Sequence, residues 1–167
     1  MLSKPEDGWT DFQLGSEDTA FCLSYLTDVA AEWLVQAIHG LETLDVFSVH
    51  GFCEPGRMVC TVSYWNCYLI FEGDDRDHVC ESVQTVHVSM IDFCRKLYED
   101  ISANLEGWVH WDDGGIESSL GMDEGYGSEA FERAIAERRQ TLMDQLDRLK
   151  QLIDENEEHF GKNRCFF

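Results

Sequence analysis

Apolar positions along this chain change spacing several times, and each change marks an element. The run Thr19 to Leu26 is β-branched and aromatic and reads as a strand, though without clean alternation. Thr27 or Asp28 then stands where a helix needs an oxygen to accept its free first-turn N–H groups. Val29, Trp33, Ala37 or Ile38, and Leu41 follow at steps of three to four, which predicts a helix over 28–41 with one apolar face. Gly40 weakens the end of that helix. The stretches 46–52, 58–64 and 67–71 are short and rich in Val, Tyr, Phe and Cys, and read as strands. Glu54-Pro55-Gly56-Arg57 between the first two is a turn, since proline fixes φ and glycine permits a positive one. Trp65-Asn66 supplies the next turn, with asparagine suited to a left-handed conformation. Gly73 to Asp77 is an acidic loop, and His78 to Val88 returns as the last strand.

Ser89 can cap a second helix over 90–105, whose stripe is Met90, Cys94, Leu97, Ile101 and Leu105, widened by Ile91 and Tyr98. Trp108-Val109-His110-Trp111 extends it as an aromatic patch. Between Asp112 and Ser128 the composition turns to five glycines with Ser, Asp and Glu, and an exposed loop is expected. Ser128 caps a final helix: residues 129–158 contain no Gly or Pro, and Ile135, Leu142, Leu146, Leu149 and Ile153 form a stripe that Arg138 and Arg139 interrupt. That stripe suits packing on the chain's own core, or a short coiled-coil seam joining two copies as a homodimer. The fold class that follows is α+β: an antiparallel sheet of four to five strands from 19–26 and 46–88, covered by helices, plus a long C-terminal helix. It divides as a core over 1–111, an acidic Gly-rich loop over 112–128 and an amphipathic helix over 129–160, within one domain.

Charge changes the picture most. The 167 residues carry 33 Asp and Glu against 12 Lys and Arg, a net charge of −21. Such a charge repels itself and weakens the compact state, so it calls for a reason: solubility, or a basic partner. Disorder is excluded by 44% hydrophobic and 12% aromatic residues. The acidity is no tail effect, because residues 1–94 already hold a net −13. The opening MLSKPEDGW lacks a basic region followed by an apolar stretch, and no run of 18 apolar residues exists, so neither a secretory signal nor a spanning helix is expected. The odd set of seven cysteines (Cys22, Cys53, Cys60, Cys67, Cys80, Cys94 and Cys165) has no CxxC pair. It reads as reduced thiols of a cytoplasmic protein.

Candidate chemistry is sparse. His50 with Cys53, His78 with Cys80, and Cys60 with Cys67 offer zinc donors, but in none of the familiar paired spacings. No glycine-framed nucleophile and no phosphate-binding loop is present, Gly114-Gly115 lacking the Lys and Ser/Thr that would follow. Asp112-Asp113 lies in a segment read as too loose for acid–base work, and Asp123-Glu124 lacks the ladder of a calcium loop. No catalytic residue, metal or cofactor is therefore assigned. Direct nucleic-acid binding is disfavoured, since it needs a basic surface. The acidic loops remain: Asp74, Asp75 and Asp77 in one, and Asp112, Asp113, Glu117, Asp123 and Glu124 in the other. Trp108 and Trp111 stand beside the second as aromatic anchors for a partner, or as core residues.

Ser24-Tyr25-Leu26-Thr27-Asp28-Val29 followed by Glu32-Trp33-Leu34 resembles the opening strand and helix of small bacterial immunity proteins. These accompany polymorphic and contact-dependent growth-inhibition toxins. The order of elements after it, up to the Trp-Val-His-Trp patch, is similar over residues 19–111. The resemblance implies a non-enzymatic, cytoplasmic protein of bacterial competition that neutralises a cognate toxin domain by tight binding. Because such proteins are acidic when the toxin is a nuclease, it implies a basic nuclease as the partner. Two other classes stay open: an acidic DNA-mimic inhibitor from a phage or mobile element, and an intracellular enzyme of unfamiliar type.

Overall fold

The computed structural model describes residues 1–15, 20–73, 82–120 and 127–162. The fold is α+β. Four strands, β3 (Phe47–Phe52), β4 (Arg57–Val62), β5 (Cys67–Glu72) and β6 (Ser82–Val86), form an antiparallel meander in chain order. Register pairs Val49 with Cys60, Cys60 with Leu69 and Leu69 with Gln84. The first turn works as its residues dictate. Gly56 takes a φ of +85°, and an added Cβ there would sit 2.5 Å from the Glu72 carbonyl. The loop between β4 and β5 closes through Ser63 N–H to Asn66 O at 2.9 Å, without the left-handed Asn66 expected from sequence.

One strand goes elsewhere. The segment expected to join the sheet, β2 (Ala20–Ser24), pairs instead with β1 (Trp9–Gln13), a strand the sequence reading missed. In β1, Thr10 and Phe12 point inward. The Phe12 ring meets Trp33 edge-on at 5.2 Å, and Phe21 stacks on Phe71 at 6.1 Å. Apolar burial at one end of the main sheet thus holds the hairpin as a flap on the core rather than as a fifth strand.

The helices stack in two layers over one face of the sheet. Helices α1 (Val29–Thr43) and α2 (Met90–Ala103) form the middle layer. Asp28 caps α1 by accepting from Ala31 N–H at 3.3 Å, and Ser89 caps α2 by accepting from Asp92 N–H at 3.2 Å. Gly40 has a packing reason: a Cβ there would lie 2.2 Å from the ring of Phe47. The second helix stops at Asn104, and a short α3 (Leu105–Val109) carries the aromatic patch. The long α5 (Glu129–Lys162) lies along α1 and α2 on the side away from the sheet. It buries Phe131, Ile135, Leu142, Leu146, Leu149, Leu152, Ile153 and Phe160. Phe160 stacks on Tyr64 at 5.2 Å, so the far end of α5 reaches the β4–β5 loop. Among the described residues no helix is long and apolar enough to cross a membrane.

Candidate partner-binding surface

The segment after Trp111 is not the open loop that its glycines suggest. Residues Asp113–Leu120 form a helix, α4. Asp112 precedes it, and its carboxylate accepts a hydrogen bond from Gly115 N–H, a capping contact that outweighs two glycines. A side chain at Gly115 would collide with that carboxylate. Burial pushes the Asp112 carboxyl above the ordinary aspartate range, against the pull of Arg138 and with a further push from Asp28. Asp113 pairs with His110 at 3.1 Å, while Glu117 is exposed on α4. Asp112 and Asp113 thus already have structural duties.

Trp108 and Trp111 do sit together, with ring centroids 5.2 Å apart. They are not surface anchors, however. Trp108 is fully buried and Trp111 is 5% exposed, with its Nε1–H donating to Thr27 O at 2.8 Å. The interruption of the α5 stripe explains why. Arg138 crosses to this corner and grips both carboxylate oxygens of Asp28, at 2.5 and 2.8 Å. It also donates to the carbonyls of Trp108 and Val109 at the end of α3, the first of which it shares with the Trp111 N–H. Once α5 is docked through that arginine, the tryptophans lie beneath it. Asp74, Asp75, Asp77, Asp123 and Glu124 lie outside the described residues.

Sheet alternation also separates the candidate metal donors. Cys60 and Cys67 face inward, with Cys94 of α2 buried like them, whereas His50 projects from the opposite face. Hydrogen bonding to Cys67 and burial raise the Cys60 thiol pKa, and burial raises that of Cys94, so these thiols stay protonated. Among the described residues no group of three His, Cys, Asp or Glu is placed to hold a metal ion. A cleft of about 410 Å³ lies between Val35 and Gln36 of α1, Ser48 and His50 of β3, and Gln145 of α5. The Ser48 hydroxyl there is engaged with Thr61 Oγ1 at 2.9 Å.

The outer face of the sheet is different in kind. Its central row runs His50, Val59, Ile70, Val83 across all four strands. Ser48, Thr61, Tyr68 and Thr85 flank it on one side, and Phe52, Arg57 and Glu72 on the other. Phe52 is 38% exposed, Tyr68 37% and Val83 60%. Among the described residues the Lys, Arg, Asp and Glu on this face are Arg57 and Glu72, which form an ion pair with each other. A chain with net charge −21 therefore presents, among its described residues, a sheet face of balanced charge with an apolar row across its middle. The sequence reading found these strands but did not assign their faces. The signal was there, in valine, isoleucine and aromatic residues at the positions opposite the buried ones. Compared with protein-family models, with curated proteins and with solved structures, the chain matches none of them.

Proposed function

We propose that this protein is a non-enzymatic immunity protein, acting in the cytoplasm of a bacterium by binding and neutralising a cationic toxin domain of nuclease type. The observation that carries the reading is the charge: −21 on a chain that folds, with acidic residues along its helices and loops while the outer sheet face stays neutral. That distribution suits a partner with a basic surface. Long-range attraction speeds the encounter, and short-range apolar contact then holds the complex. The resemblance of residues 19–34 to the opening of immunity proteins supports the same reading. The structural duties of Asp112 and Asp113 move the expected contact surface away from that corner.

The test is a binding titration with the toxin domain encoded beside this gene, at low and high salt, with co-expression in cells. The expected result is rapid association that slows markedly with salt, a much smaller effect on dissociation, and protection of the cells. Absence of binding to that domain would refute the reading.

A further inference from the structure

We infer that the outer face of the β3–β6 sheet is the surface that receives the cationic partner, with the row Val59, Ile70 and Val83 as its dry centre and Phe52 and Tyr68 as its aromatic anchors. The inference rests on the proposed function and gives it a place. It begins with layering. Helices α1 and α2 cover the inner face of the sheet, α5 covers the side of those helices away from the sheet, and the β1–β2 flap closes one end of the core. Among the described elements none packs over the outer face: Phe52, Tyr68 and Val83 are exposed there, and Val59 and Ile70 are half-buried between their neighbours.

Other exposed apolar residues lie elsewhere, Val35 on α1, Met143 on α5, Val46 just before β3, and Trp9, Tyr25 and Leu26 on or beside the β1–β2 hairpin, whereas the outer-face residues are joined by strand pairing. On the sheet, register joins them: Val59 beside Ile70, Ile70 beside Val83, and Tyr68 beside Thr85 one row over. The Phe52 ring meets His50 edge-on at 6.2 Å and continues the patch. Four strands about 4.8 Å apart and five residues of about 3.4 Å rise make a platform on the order of 300 Å². That platform includes polar positions, and its apolar part is no larger than the largest patch of an ordinary monomer, which is often functional. It is smaller than the roughly 800 Å² each partner contributes to a standard interface, so it can be only the centre. The rest must come from the remainder of the surface, which in a chain of net charge −21 is acidic overall.

That requirement selects the occupant. A second copy would bring −21 against −21 around a neutral centre. A partner with apolar residues framed by Lys and Arg meets both parts of the surface at once. Tyr68 and Phe52 present flat rings that lose little conformational freedom on contact, as anchors should.

The experiment uses neutral substitutions, so that the long-range field is unchanged. Tyr68→Ser, Phe52→Ser and Val83→Ser are combined in the full-length protein, and Val83→Ser is made alone on edge strand β6 as the variant least disturbing to folding. Circular dichroism melts establish that each is folded, and surface plasmon resonance with the adjacent toxin domain gives the rates. The triple variant is expected to dissociate at least about tenfold faster while associating within about twofold of the parent. Val83→Ser alone is expected to move the same way by a smaller factor. If the folded variants dissociate like the parent, the surface assignment is overturned while the immunity reading stands. If the parent itself fails to bind, both fall. Sedimentation closes the last alternative: a parent that dimerises at micromolar concentration, with variants that do not, would give this face to a second copy and overturn the proposal.

Discussion

The two faces of the main sheet are built from the same strands, one residue apart, and they differ in what lies against them. On the inner face Val49, Met58, Cys60, Val62, Cys67 and Leu69 are buried beneath helices. On the outer face Val59, Ile70 and Val83 hold comparable side chains with no described element over them. A sheet face meant only for water carries polar residues at such positions, as Ser48, Thr61 and Thr85 do here. The inner face is explained by stability. The outer row, half-buried at Val59 and Ile70 and exposed at Val83, is the surface proposed above to take a partner.

The sharpest way to break this comparison is to shorten neighbouring residues on opposite faces. Leu69→Ala empties a site 1% exposed and is expected to cost about 2–5 kcal/mol in urea unfolding. Val83→Ala, on a residue 60% exposed, is expected to change stability by no more than about 0.5 kcal/mol. Equal losses would mean that the outer face is covered after all.

Gly40→Ala sharpens the inner side. Helix propensity favours alanine by about 1 kcal/mol. Here the added methyl would lie 2.2 Å from the Phe47 ring, and overpacking of that kind costs about 1–3 kcal/mol. A net loss near 1 kcal/mol is expected, and a net gain would show that Phe47 can yield.

The smallest effect belongs to the Asp112 corner. Its carboxyl titrates above the ordinary range because burial disfavours the charge. A raised carboxyl contributes stability below its unfolded-state value, and the contribution is lost as pH rises through the folded-state value. At neutral pH the charge is therefore a burden that Asp112→Asn removes, while asparagine keeps the capping role. A gain below about 1 kcal/mol at neutral pH is expected, because the carboxyl remains half-open to water. The gain should vanish near pH 3.5, where aspartate is largely protonated in the unfolded chain. Urea midpoints at the two pH values check it. A gain that persists in acid would assign the effect to something other than the charge.

How much could be read in advance followed from how local each signal was. The caps Asp28, Ser89 and Ser128 act on their own helices, and the structure confirms each within three residues. Strand 20–24 was legible as a strand, but its partner was not. Trp9–Gln13 shows only the inward pair Thr10 and Phe12 among polar neighbours, and its pairing depends on Phe12 finding Trp33. The α4 helix was hidden because glycine content outweighed the Asp112 cap in the reading. Sequence alone leaves Trp108 and Trp111 as partner anchors or core residues, because the cover that decides between them, Arg138 and α5, comes about 30 residues later. The sheet faces were undecided for the same reason, since which face is inward depends on where the helices land.

Arg138 also sets a timetable. It joins the cap of the first helix to a side chain 110 residues further along the chain. During synthesis the strands and both middle helices emerge before it, at roughly 5–20 residues per second. Until α5 has left the ribosome, the α1–α2 layer stands with one apolar side bare, and the Val109 carbonyl lacks its arginine donor. The nascent chain thus has two apolar surfaces, the side of the helices that α5 will cover and the outer sheet face. Among the described residues only the first is closed by the chain itself, and the moment of closure is the arrival of one arginine.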